Sequence, residues 1–110
     1  MNETRTLARF LVESRWRDVP AAVRHEGKRA LLNWLGCALG GCRDETVVRA
    51  LAALDAFSGP RHATLVGRAE KLDALNAALV NAIASNILDF DDTHLRTVIH
   101  PTVPVASALL

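Results

Sequence analysis

The side chains able to do chemistry are concentrated in residues 88–101, Leu-Asp-Phe-Asp-Asp-Thr-His-Leu-Arg-Thr-Val-Ile-His-Pro, where Asp89, Asp91, Asp92, Thr93, His94 and His100 fall close together. They follow a long apolar, alanine-rich segment. Carboxylates and imidazoles are costly beside a core unless they are paired or used. One chemistry open to them is metal-free acid–base catalysis. A histidine immediately before proline, as in His100-Pro101, is kept on extended backbone, because the residue before Pro avoids the α region. Pro101 can then open a helix whose first N–H groups attract an anion. An imidazole placed there can bind or protonate a carboxylate-bearing substrate. Asp89 could orient that histidine or a substrate hydroxyl, and Thr93 could donate a hydrogen bond. A second option is a divalent-metal site drawn from Asp91, Asp92, His94 and His100, although the spacing fits no tight ligand pattern. The bland alternative is a polar turn held by an Asx-type hydrogen bond.

These residues depend on the helices around them, and the pattern predicts an all-α chain. Thr4 or Thr6 can cap a short first helix carrying Leu7, Phe10 and Leu11. Asp18-Val19-Pro20 starts a second, with Val23, Ala30, Leu31, Trp34, Leu35 and Ala38 on one face and Gly40-Gly41 at its end. Gly36, inside it, is expected to admit another backbone. Asp44 or Thr46 caps a third, stopped by Ser58-Gly59-Pro60. Residues 62–67 read as an extended connector. Lys71 or Asp73 then opens a fourth helix, where Leu72, Leu75, Leu79, Ile83, Ile87 and Phe90 recur at helical steps. Its many alanines suit tight packing among several neighbours. Asn81 and Asn86, if buried, need a docked loop or helix end as partner. If this helix runs to about Asp92, Asp89 and Thr93 share a face. Asp91 and Asp92 then occupy its last turn, where the helix dipole disfavours acids by about 0.3–1 kcal/mol each.

Composition narrows the choices. The chain has 110 residues, half of them apolar, which suits one small domain or part of a larger one. The formal net charge of +1, with basic residues scattered among acids, gives no nucleic-acid footprint. Cys37 and Cys42 lack zinc spacing to any histidine and read as buried thiols in a reducing compartment. There is no signal-peptide pattern at the N-terminus and no apolar run of the roughly 18–20 residues that a membrane span needs. A cytoplasmic protein is expected. Residues 101–110 read as a helix opening without a cap after Leu110, so residues 1–110 are expected to be the N-terminal part of a longer helical domain, inactive by itself.

Two resemblances meet in the acidic cluster. Ile87-Leu88-Asp89-Phe90-Asp91-Asp92-Thr93 is similar to the Asp-x-Asp-x-Thr string of magnesium-dependent haloacid dehalogenase-type phosphatases. That string should end a buried strand, whereas here helical periodicity precedes it. Over about Leu7 to Leu110 the chain resembles the N-terminal part of the MmgE/PrpD family. Leu88–His94 with the nearby His100-Pro101 carries that resemblance. Leu31–Gly36, Ala63–Gly67 and Ala78–Asn81 support it, although many relatives look to have an acid where this chain has Asn33. The resemblance implies a helical domain joined to a smaller α+β domain in a homodimeric enzyme. Such enzymes act without a cofactor on small di- and tricarboxylates, by dehydration, decarboxylation or epimerisation. It puts catalytic roles on Asp89 and His100 and substrate contacts on Thr93 and His94. The function implied is that of a metal-independent dehydratase acting on an acid such as 2-methylcitrate. The competing class is a non-catalytic helical module that only pairs with another chain.

Overall fold

A computed structural model describes residues 2–110. Its elements are α1 (Glu3–Glu13), α2 (Ala21–Gly41), α3 (Glu45–Leu54), β1 (Ala63–Thr64), β2 (Lys71–Leu72), α4 (Ala74–Asn86) and α5 (Thr102–Leu109), with short 3₁₀ turns at Trp16–Asp18 and Asp55–Phe57. The chain is all-α in character. β1 and β2 are a two-residue antiparallel ribbon pairing Ala63 with Leu72 and Thr64 with Lys71. They sit where the sequence predicts an extended connector. Among the described residues no helix is long and apolar enough to cross a membrane.

α4 is the central rod, packed by α2, α3 and α5. Its sequence explains this position. Ala77, Val80, Asn81, Ala84 and Ser85 are all buried, so small side chains let neighbours approach from several sides. Asp73 caps it by accepting hydrogen bonds from the N–H groups of Leu75 and Asn76. The same carboxylate receives the Ser58 hydroxyl and the Gly59 N–H, which ties the stop after α3 to the start of α4. One core cluster joins Val47, Leu65, Leu72, Ala77, Val80 and Ala84. A second joins Trp34, Ala38, Val66, Val103 and Ala106, and the Trp34 indole donates to the Ser107 hydroxyl across 3.1 Å, fastening α2 to α5. Asn81 finds the docked loop its burial requires. Its Oδ1 accepts from the Val66 N–H at 2.9 Å and its Nδ2 donates to the Thr64 carbonyl at 3.0 Å.

Four local expectations change. Asn2 occupies the N-cap of α1, so Thr4 and Thr6 lie inside that helix, and the Thr6 hydroxyl donates back to the Asn2 carbonyl. α1 buries no residue, and Leu7, Phe10 and Leu11 are exposed. The close approach of α2 to α4 falls on Gly41 and not on Gly36. A Cβ on Gly41 would lie 2.1 Å from the Ala84 carbonyl oxygen, whereas one on Gly36 would meet nothing within 4 Å. Finally, α4 stops at Asn86, short of the expected Asp92. The apolar spacing continues through Phe90, but Asp89 has a left-handed φ of 49° and Phe90 is exposed. Aspartate tolerates that conformation better than most residues, so the helix can end there without glycine.

Two predictions follow from this packing. Gly41→Ala should lose about 3 kcal/mol or more in urea unfolding, because backbone rather than a flexible side chain must move, while Gly36→Ala should gain about 0.5–1 kcal/mol from helix propensity. The Asn76 and Gly59 backbone N–H groups hold the Asp73 carboxyl far below the usual carboxylate range. A lowered folded-state value stabilises the fold above the unfolded value of about 3.9 and is lost as pH falls. The stability gap between wild type and Asp73→Asn, read by urea titration, should be full at neutral pH and shrink as the medium is acidified below about pH 4.

Candidate active site

The chain between α4 and α5 folds back on itself. The Asp89 N–H bonds the Asn86 carbonyl, and an isolated bridge pairs His94 with Ile99 around a tight turn that includes Val98 at φ 53°. This returns the chain to the end of α4 and sets His100 beside Thr93 and Asp91, seven and nine positions earlier. The Asp91 side chain is 1% exposed, and its Oδ2 lies 3.0 Å from His100 Nδ1. The Asn86 amide donates to the same carboxylate at 3.1 Å from the last residue of α4. Thr93 Oγ1 stands 3.4 Å from His100 Nδ1, and His100 itself is one-third exposed.

The neighbouring acid has a different task. Asp92 receives the Thr102 N–H and hydroxyl, so it satisfies the first turn of α5. Pro101 and Pro104 have no N–H to offer there. The anion-binding end expected of this helix is thus met by a carboxylate of the chain itself. The unfavourable stack of acids at the end of α4 does not exist either. The helix ends before them, Asp91 turns inward and Asp92 meets the favourable end of α5.

The remaining expected site residues lie apart from this pair. Asp89 is exposed on the left-handed turn and makes no hydrogen bond or ion pair to His100 among the described residues. His94 is exposed, with its Nδ1 2.7 Å from the Thr97 hydroxyl inside the turn. Thr93 does meet His100. Among the described residues no group of three or more His, Cys, Asp or Glu converges to hold a metal, so Asp91, Asp92, His94 and His100 do not form the ligand set weighed from sequence. The Asp-x-Asp-x-Thr string also lacks its required setting, because Leu88 lies in a turn and no strand leads into it.

Sequence reasoning weighed Asp91 as a metal ligand and missed its pairing with His100 and with Asn86. A signal was present: acids are disfavoured at a helix C-terminus, so at least one of them needed a partner elsewhere. Which acid that was depended on where α4 stopped.

The loop leans on α2. Asn33 Nδ2 donates to the Phe90 carbonyl at 3.1 Å. A groove of about 510 Å³ lies between α2 and the turn, lined by Arg29, Leu32, Asn33, Gly36, Cys37, Leu88 and Phe90. Arg29 and Asn33 also border a second concavity of about 430 Å³ that reaches Asp92. Burial, followed by the negative charges of Asp91 and Asp92, pushes the Cys37 thiol upward. Cys37 and Cys42 are both free and buried, as their spacing suggested.

Residues 5–110 match the MmgE/PrpD N-terminal domain, and the chain belongs to that family. It is 25% identical over 108 residues to a cis-aconitate decarboxylase-like protein, oryM, of Aspergillus oryzae (strain ATCC 42149 / RIB 40). That match covers 98% of this chain and 22% of the relative, so the chain spans about a fifth of the relative's length. No solved structure matches it.

The electrostatics of the loop can be read through Cys37. Its labelling by a disulfide reagent should be several-fold slower than that of a free thiol at neutral pH and should rise only at higher pH. Asp92→Ala should cost about 1 kcal/mol by removing the α5 cap, a fall of roughly 4–8 °C in melting temperature by calorimetry.

Proposed function

We propose that these residues form one wall of the active site of an MmgE/PrpD-type lyase, with His100 as the group that handles the substrate proton. One observation carries the reading. In a chain that matches this family's N-terminal domain, a partly exposed His100 stands at the entrance to α5 with Thr93 and a buried carboxylate against its ring. The substrate class is a small di- or tricarboxylate, with 2-methylcitrate the first candidate. In dehydration a base takes the proton from the carbon next to a carboxylate, the freed electron pair becomes the double bond, and the neighbouring hydroxyl leaves with a proton as water. His100 performs the proton transfer. Thr93 donates a hydrogen bond to the substrate, and Asp89, projecting from the exposed turn, meets the substrate hydroxyl. His94 contacts the substrate from the rim. No metal or cofactor is invoked, and the working enzyme is a homodimer in the cytoplasm.

The name of the Aspergillus relative favours a second reading, decarboxylation of cis-aconitate. There the carbon–carboxylate bond breaks, carbon dioxide leaves, and the carbanion takes its proton from protonated His100. The site residues are the same in both readings.

The test is turnover by the protein as encoded, with 2-methylcitrate, citrate and cis-aconitate as substrates. His100→Ala should lower kcat/KM by roughly 10²–10⁴-fold. If the wild type converts none of these acids, with or without a chelator, the lyase assignment fails. If it does convert one and His100→Ala matches it, the proton-handling role is wrong and the segment is a helical module.

A further inference from the structure

The family resemblance points to Asp89 as the acid that works with His100, but the geometry points to a different one. We infer that Asp91 is the positioning residue of the site: through a shared proton it holds the His100 ring as the Nδ1–H tautomer and so turns Nε2 toward the substrate.

The Asp91 side chain is 1% exposed, and a carboxylate withdrawn that far from water needs proton donors or positive charge around it. Two groups answer. The Asn86 amide approaches both oxygens, at 3.1 and 3.4 Å, and His100 Nδ1 lies 3.0 Å from Oδ2. Two lone pairs facing each other at 3.0 Å would repel, so a proton lies between Nδ1 and the carboxylate. Among the described residues, His100 is the one ion-pair partner that reaches this carboxylate. Asp92 is committed to the start of α5, and the buried Cys37 thiol, kept protonated in part by Asp91, offers no charge. With the proton fixed on Nδ1, the neutral ring presents the unprotonated Nε2 as a base and the doubly protonated ring presents Nε2–H as an acid. Thr93, 3.4 Å from Nδ1, flanks the ring on this same side, and among the described residues Nε2 has no hydrogen-bond partner.

Each supporting residue is on a rigid or locked element. Asn86 is the last residue of α4, a helix buried on several faces. Asp91 is reached through the left-handed Asp89, whose turn the Asn33 amide pins to α2 by way of the Phe90 carbonyl. His100 is fixed from the other side, because the Asp92 bonds to Thr102 anchor the chain two residues beyond it. A ring held at one nitrogen between two helices loses the freedom to flip, and orientation of this kind is what a proton-transfer group requires. Asp89, exposed and unattached to the ring, cannot supply it.

This inference rests on the lyase reading for its catalytic meaning, but the tautomer can be measured without any substrate. In nitrogen-15 labelled wild-type protein, titrated until the His100 ring is neutral, two-bond proton–nitrogen correlations should show Nδ1 protonated and Nε2 bare. Asp91→Asn should shift the ring toward the Nε2–H form. In the turnover assay the same variant should lose roughly 10²–10⁴-fold in kcat, with KM changing by less than about threefold. A wild-type ring found as the Nε2–H tautomer overturns the inference, even should the variant fail to fold. An active, folded Asp91→Asn protein with unchanged kcat overturns it as well. Absence of wild-type turnover would sink the lyase reading and leave the wild-type tautomer to decide this one.

Discussion

The close contact between α2 and α4 governs the rest of the molecule. At Gly41 the two backbones touch so nearly that a single added carbon would fall on the Ala84 carbonyl. Small residues line the contact, and the Trp34 indole extends it to α5 through Ser107. α4 ends one residue after Ser85, just past this contact, and the chain must reverse within the space left between α2 and α5. The left-handed Asp89, the bond from Asn33 to the Phe90 carbonyl and the bridge between His94 and Ile99 are the means of that reversal. A looser helix pair would let the turn swing, and the partners of Asp91 and Asp92 would separate.

Within that turn three aspartates of similar sequence context have different physical fates. Asp89 sits in a conformation that few side chains accept and faces water. Asp91 is buried against an amide and an imidazole. Asp92 satisfies the first turn of α5, where the dipole favours a negative charge. The difference follows from the path of the backbone, which the left-handed Asp89 redirects before Asp91 and Asp92. Clustering the acids gives the loop two anchors, one on each helix, and leaves the third free for whatever enters from solvent. The Cys37 thiol on α2 is pushed upward by burial and then by the field of both anchored carboxylates, which favours its protonated form.

Much of the architecture was legible from residue types. The breaks at Gly40-Gly41 and Ser58-Gly59-Pro60, the caps at Asp44 and Asp73, and the need of Asn81 for a docked loop all follow from local backbone chemistry, and each has its counterpart in the fold. The misplaced end of α4 has one cause. Hydrophobic periodicity runs on through Ile87 and Phe90, so it extends α4 beyond Asn86, yet Phe90 is exposed and serves the turn instead. In the same way Gly36 and Gly41 look alike on paper, and only the position of α4 decides which one must lack a side chain.

The sequence by itself determined that the chain is helical, that its densest group of acids and imidazoles lies between Leu88 and Pro101, and that Pro101 marks the entry to the last helix. These are properties of composition, spacing and the restricted backbone around proline, and they need no distant neighbour. Which carboxylate reaches His100 was decided only by tertiary structure. A one-residue change in where a helix ends rotates every following side chain by about 100°, and that endpoint is set by how closely α2 and α5 crowd α4.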